Sequence, residues 1–239
     1  MAESKYKRVL LKLSGESFCK PGGFGVDDES VLSVAKRVDR LKQLGVDVAI
    51  VNGAGNFLRG AAFSKRGLVS RNTADYMGML ATIINSCVLQ ETLEGLGRET
   101  RVMSALEVSA VCEKFIRRRA LRHLERGRVI ILAGGTGNPF FTTDTCAALR
   151  ASEIDADLVI KATNVDGVYD DDPKINPNAR LLTHLSYGDV LKQNLRVMDH
   201  SAISLCRDSK TPIIVLNIFK DGNITKAICG EQVGTLISD

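Results

Sequence analysis

The chain has no tryptophan and only three histidines, His123, His184 and His200, in 239 residues. None of the three stands at zinc-ligand spacing, so histidine-based metal chemistry has no foothold. Cys19, Cys87, Cys112, Cys146, Cys206 and Cys229 are scattered, with no Cys-x-x-Cys pair. That pattern argues against a disulfide framework and for reduced thiols in a cytoplasmic protein. No stretch approaches the ~18 apolar residues of a membrane helix, and Met1–Arg8 has no apolar signal core. Neither a membrane association nor a secreted product is expected. There is no Gly-x-x-x-x-Gly-Lys-Ser/Thr, which excludes a P-loop. No Gly-x-Gly-x-x-Gly opens an early helix with an acidic residue about 20 positions on, which disfavours a dinucleotide fold. A net charge of +4 is too slight, without clustering, to argue for nucleic acid. Repeats, linkers and low-complexity segments are missing too, so residues 1–239 read as a single domain.

What is present is the balance of an ordinary globular protein, 44% hydrophobic and 25% charged. Short apolar runs alternate with amphipathic stretches. Val9–Leu11, Val46–Val51, Thr100–Met103, Val129–Leu132, Asp157–Ile160 and Pro212–Leu216 read as strands. Helical spacing joins Val31, Val34, Ala35, Val38 and Leu41, and Gly45 stops that helix. A second helix of about 24 residues places Met77, Leu80, Ala81, Ile84 and Val88 on one face. Met77, Met79 and Leu80 read as helix core or subunit interface. A third helix is expected from Glu113 to Arg126. Continuous β-branched strands separated by helices predict an α/β fold, a three-layer αβα sandwich around a mostly parallel sheet.

The most informative stretch is Ala133–Asp144, Ala-Gly-Gly-Thr-Gly-Asn-Pro-Phe-Phe-Thr-Thr-Asp. It leaves the end of a strand and opens an alanine-rich helix, which is where open α/β sheets bind ligands. Its glycines let backbone N–H groups approach an anion, and the helix start adds partial positive charge. Thr136, Asn138, Thr142 and Thr143 supply short polar groups, and Pro139-Phe140-Phe141 a stiff apolar wall. An organic phosphate carrying a flat ring suits that composition. Three more strand ends carry unusual residues: Lys12-Leu13-Ser14-Gly15-Glu16, Asn52–Gly60 with Arg59, and Lys161–Tyr169 running into Asp170-Asp171-Asp172. Glycine-rich loops at several strand ends suggest two phosphate groups facing each other, a donor and an acceptor.

These segments, with Asp75–Thr82, Val197-Met198-Asp199 and Gly234–Ile237, resemble the bacterial UMP kinase (uridylate kinase) family of the amino acid kinase superfamily. The likeness is collinear from about Tyr6 to Ser238. Gly-Thr-Gly-Asn-Pro-Phe-Phe-Thr-Thr-Asp is specific to that family, whereas Lys-Leu-Ser-Gly marks only the superfamily. The resemblance implies transfer of the γ-phosphate of ATP to UMP, giving UDP and ADP, in pyrimidine nucleotide biosynthesis. It assigns Lys12, Leu13, Ser14 and Gly15 to the ATP phosphates, with Gly55 and Arg59 beside them, and Thr163, Asn164, Tyr169 and Asp172 to adenosine. Gly53, Ala54 and Asp75 would hold UMP, Asp75 through the ribose hydroxyls. Thr136, Gly137, Asn138, Pro139, Phe140, Phe141, Thr142 and Thr143 would wrap its phosphate and uracil. Asp144 and Asp199 would organise Lys12 and the metal, so Lys12, Arg59, Asp144 and Asp199 form the implied catalytic set. Lys20, Pro21, Gly22, Gly23, Phe24 and Gly25 match the segment through which GTP activates many relatives. UTP inhibition and a homohexamer are also implied. The family usually has three consecutive glycines after an apolar residue, where this chain reads Asn52-Gly53-Ala54-Gly55.

The chemistry is consistent with what the sequence lacks. A nucleoside monophosphate is already an anionic nucleophile and needs no histidine base. Phosphoryl transfer needs in-line positioning and positive charge instead. Mg²⁺ is expected to ride on the nucleotide phosphates with few protein carboxylates, because it keeps most of its water. Asp170–Asp172 reads as a solvated turn, the Arg117–Arg119 run with Arg122 and Arg126 as a solvated helix face, and His200 as a neighbour of a helix start. Two competing readings are a kinase for another small phosphate or carboxylate acceptor, and a catalytically silent storage protein.

Overall fold

A computed structural model describes residues 4–58, 67–171, 173, 175–176, 178–195 and 197–239. Strands β1 (Arg8–Leu13), β2 (Asp47–Asn52), β3 (Thr100–Ser104), β4 (Glu113–Lys114), β5 (Val129–Ala133), β6 (Leu158–Thr163), β9 (His184–Leu185), β10 (Ile213–Asn217) and β11 (Thr235–Ile237) form one sheet. Their order is β4-β3-β5-β2-β1-β6-β10-β11-β9. All neighbouring pairs are parallel except β10 with β11. A small antiparallel ribbon joins β7 (Val168–Tyr169) to β8 (Leu181–Leu182).

Helices cover both faces, because successive strand side chains point in opposite directions. On β1, Val9, Leu11 and Leu13 face a cluster built with α1 (Asp28–Gln43), α2 (Arg71–Gly95) and α7 (Asn223–Ile228). Leu10 faces the other, built with α3 (Arg117–Glu125), α4 (Thr143–Glu153), α5 (Tyr187–Lys192) and α6 (His200–Asp208). The expected αβα layering and mostly parallel sheet are therefore present. Local chemistry sets the helix ends. Asp27 caps α1 by accepting from the Ser30 N–H, and Gly45, at φ +77°, ends the turn that follows.

One expectation is corrected. The single helix over Glu113 to Arg126 is instead β4 followed by α3. Glu113 and Lys114 pair with Met103 and Ser104, and the Phe115 N–H donates to Ser104 O before the helix begins. The apolar stripe of α2 is divided: Met77 is 37% exposed, Leu80 50% and Ile84 50%, whereas Met79 and Ala81 are buried and Val88 packs against the core. The inward face carries Thr82, Asn85, Ser86, Leu89 and Leu93, all buried. Its polar members are admitted because distant loops satisfy them.

Candidate active site

The carboxyl ends of β1, β2, β5 and β6 stand side by side, and the chain reverses its direction of travel across the sheet there. Such a switch point leaves a crevice outside the strand ends. Lys12, near the end of β1, is 8% exposed, and its Nζ lies 2.7 Å from Asp144 Oδ1 in the first turn of α4. Lys161, on β6, sits 2.7 Å from Asp144 Oδ2 and also donates to Val197 O. One carboxylate thus bridges two ammonium groups. Burial alone would raise the Asp144 pKa, but the charges of Lys12 and Lys161 outweigh it and hold the carboxyl below its ordinary value. Burial pushes the Lys161 pKa down, and Asp144 offsets only part of that. Asp144 Oδ1 is sealed from solvent, with the Lys12 ammonium against it.

Asp199 caps α6 by accepting from the Ala202 N–H, and it also accepts from the hydroxyls of Thr142 and Thr145. Its negative charge also acts on Lys161. Lys161 is the basic residue that sequence reasoning left without a role. The signal was available in principle, since a lysine inside an otherwise apolar buried strand needs a counter-ion.

The glycine loops after β1 and β2 abut. A Cβ on Gly15 would lie 2.2 Å from Gly55 N and 2.7 Å from Ala54 C, and one on Gly53 3.0 Å from Gly15 N. Only glycine permits that approach. Ala54 has negative φ and is 9% exposed, so the methyl group that departs from the family pattern fits its backbone. Asn52 is buried but satisfied: its Nδ2 donates to Thr82 O at 3.0 Å and its Oδ1 accepts from the Ser86 hydroxyl at 2.8 Å.

Beside this junction is a cavity of about 150 Å³ between the β2 loop, α2 and the loop after β5. Of the residues assigned to UMP, Ala54, Asp75, Thr136, Phe141, Thr142 and Thr143 line it. Gly53, Gly137, Asn138, Pro139 and Phe140 do not, although Phe140 reaches it indirectly. Its N–H donates to Asp75 Oδ2 at 2.8 Å, its φ is +72°, and the Arg71 guanidinium lies 5.7 Å from its ring centre. Arg71 Nε also donates to both Asp75 oxygens at 2.8 Å. Ala74, Gly135, Leu58, Gly78, Met79 and Thr82 complete the wall. The last three sit one or two turns beyond Asp75 on α2, a helical relation readable from the sequence once Asp75 is chosen. The Thr82 hydroxyl accepts from the Gly134 N–H at 2.9 Å and so fixes the start of the loop after β5.

On the other side of β1, Thr163 ends β6, Asn164 is exposed and Tyr169 lies in the β7–β8 ribbon. Arg59 and Asp172 fall outside the described residues. Lys20, Pro21, Gly22, Gly23 and Phe24 form an exposed turn, with Phe24 edge-on to Phe57 at 5.8 Å.

Residues 7–217 match the model of the amino acid kinase family. A uridylate kinase from Methylococcus capsulatus is 54% identical over 99% of both chains. The chloroplastic uridylate kinase PUMPKIN of Arabidopsis thaliana is also 54% identical, over 98% of this chain and 69% of its own length. The solved UMP kinase of Bacillus anthracis superposes with a TM-score of 0.95 at 41% identity, covering 98% of this chain and 96% of that one. With a superposable fold, a family match over residues 7–217 and identity at this level over nearly its whole length, the chain belongs to the amino acid kinase family, among its uridylate kinases.

Proposed function

We infer that the chain is an ATP-dependent UMP kinase, giving UDP and ADP for pyrimidine nucleotide synthesis. The observation that carries the reading is the Lys12–Asp144–Lys161 cluster at the ends of β1 and β6, with the abutting glycine loops following β1 and β2 and a cavity lined by Asp75, Thr136, Phe141, Thr142 and Thr143 nearby. The UMP phosphate attacks as an anion, so no base is required. Lys12 meets the charge that develops on the transferring phosphoryl group. Asp144 aims Lys12, and Lys161 holds Asp144. Asp199 acts through Thr142 and Thr145, fixing the loop that closes on the acceptor. ATP lies along Lys12–Gly15, Gly55 and Arg59, with adenosine toward Thr163, Asn164, Tyr169 and Asp172.

Among the described residues no group of three His, Cys, Asp or Glu side chains could hold a metal. A magnesium ion carried by the nucleotide fits that donor set. Asp144 and Asp199 are carboxylates of the oxygen-donor type that would face it. When bound, it neutralises charge on the phosphates.

Self-association, as a homohexamer, is supported by the outward stripe of Tyr76, Met77, Leu80 and Ile84 on α2. The exposed turn Lys20–Gly25 is the proposed GTP element, and UTP is the proposed inhibitor. Free thiols at all six cysteines suit a reducing compartment such as the cytoplasm. A coupled ADP-release assay over UMP, CMP, dUMP and acetylglutamate tests the reading. Turnover should be greatest with UMP, and ATP binding without turnover on any acceptor would favour a storage protein.

Asp75→Asn should narrow the preference for UMP over dUMP. A carboxylate that accepts from ribose hydroxyls is left partly unpaired by a deoxy sugar, and such losses carry large discrimination. The measurement is the kcat/KM ratio of the two substrates, and an identical ratio in wild type and variant would mean Asp75 does not read the sugar.

Ala54 yields a graded test. Ala54→Gly should change KM for UMP little and lower stability by ~0.4–1 kcal/mol through extra unfolded-state freedom. Ala54→Val should weaken UMP more than folding, because a branched side chain would crowd the cavity. Equal KM for all three forms would remove this loop from the acceptor site.

A further inference from the structure

Two asparagines outside the cavity lining are sealed inside the protein, Asn56 at 2% and Asn85 at 0% exposure. Asn85 Nδ2 donates to Gly53 O at 2.9 Å and to Asn56 Oδ1 at 2.8 Å. Asn56 Nδ2 returns a bond to Asn85 Oδ1 at 2.9 Å and donates to Gly25 O at 2.7 Å. The Gly25 N–H donates in turn to Asn56 O at 2.9 Å. Each amide nitrogen has two hydrogens, and each hydrogen has a partner. Turning either amide over would set its oxygen against Gly53 O or Gly25 O, so the network allows one orientation.

The network ends on a wall of the cavity. The Gly53 N–H donates to Leu13 O at 2.9 Å, so Gly53 is gripped on both sides immediately before Ala54. Ala54 O accepts from the N–H groups of Phe57 and Leu58, both at 2.9 Å. Ala54 and Leu58 both line the cavity. At its other end the network holds both backbone groups of Gly25, the last residue of the exposed turn. A pair of aliphatic side chains of similar volume would fill the same space without fixing any carbonyl. A fully satisfied buried amide pair specifies one backbone arrangement.

We propose that Asn56 and Asn85 are positioning residues for the acceptor. They fix the Gly53–Ala54 wall and tie it to the turn ending at Gly25, so that acceptor binding and the order of that turn are coupled. The proposal rests on the acceptor assignment above. Asn85→Asp keeps the shape but cannot donate to Gly53 O or Asn56 Oδ1. It should raise KM for UMP tenfold or more, with KM for ATP within twofold of wild type and kcat within threefold. Asn56→Ala combined with Asn85→Ala should be no worse than Asn85→Ala alone, because either change breaks the same unit. In the wild-type enzyme, UMP should slow hydrogen exchange of the amides in 20–25, and Asn56→Ser should abolish that response. Thermal midpoints are measured alongside. A lowered midpoint with unchanged KM values, equal rises in both KM values, or no UMP-dependent protection of 20–25 in the wild type would each overturn the proposal. The exchange experiment stands even where Asn85→Asp does not fold. A wild type that fails to turn over UMP would strike the acceptor assignment itself.

Discussion

Lys12→Met is expected to lower turnover with UMP by two to three orders of magnitude while the fold survives. Methionine keeps the length and apolar stem of lysine and removes only the ammonium. Asp144 loses one of its two counter-ions but keeps Lys161 at 2.7 Å, so no buried carboxylate is stranded. The stability cost is therefore modest, whereas the catalytic cost is large. Charge accumulates on the transferring phosphoryl group only on the way to the transition state, and one preorganised donor in a water-poor site contributes roughly 3–4 kcal/mol there. An interaction made chiefly in the transition state lowers kcat and kcat/KM together and leaves KM nearly unchanged. A coupled ADP-release assay beside circular dichroism and a thermal melt separates the two effects. Turnover within tenfold of wild type would take Lys12 out of the mechanism.

The sequence was most legible where a residue's environment follows from its own neighbours. Strands β1, β2, β5, β6 and β10 are buried on both faces, so their continuous Val, Ile and Leu runs could be read directly. The polar part of the inward α2 face was not legible because periodicity ranks residues by hydropathy. There the inward positions include Thr82, Asn85 and Ser86, whose partners Asn52, Gly53, Asn56 and Gly134 lie 29 to 52 residues away in the chain. Nothing local announces that a polar residue will find a buried partner at that distance. β4 was lost for a similar reason, since two residues paired to β3 carry no pattern of their own. The site divides the same way. The loop after β5 and the Lys12 segment could be found from strand-end glycines and from the family resemblance. The bridge from Asp144 to Lys161, and the attachment of Asp199 to Thr142 and Thr145, are tertiary facts with no short-range signature.

Asp144→Ala should damage folding more than Lys12→Met, and in a pH-dependent way. The carboxylate is the shared counter-ion of two ammonium groups whose side chains are 10% and 18% exposed. Removing it leaves two like charges facing each other in a poorly hydrated crevice. Breaking a buried pair costs roughly 3–5 kcal/mol, and residual exposure puts this one near the lower end, about 3 kcal/mol at neutral pH. For a chain of this size that corresponds to a fall of roughly 6–12 °C in Tm. Two opposite pH trends follow. In the wild type, the Asp144 carboxyl titrates in the folded state below its ordinary value of 3.8. A depressed carboxyl contributes its stability in full above that value and loses it as pH falls through the folded one, so the gap between wild type and variant should shrink in strong acid. In the variant, Lys161, already pushed down by burial from 10.5, loses the carboxylate that raised it. The folded variant then binds fewer protons than its unfolded chain over a wider range, and its stability rises with pH there. The deficit should accordingly narrow between pH 7 and pH 9.5 as the unpaired ammonium deprotonates. Urea unfolding at several pH values measures it. A deficit below about 1 kcal/mol, or one that stays constant across that range, would show that Asp144 does not serve as the counter-ion of Lys12 and Lys161.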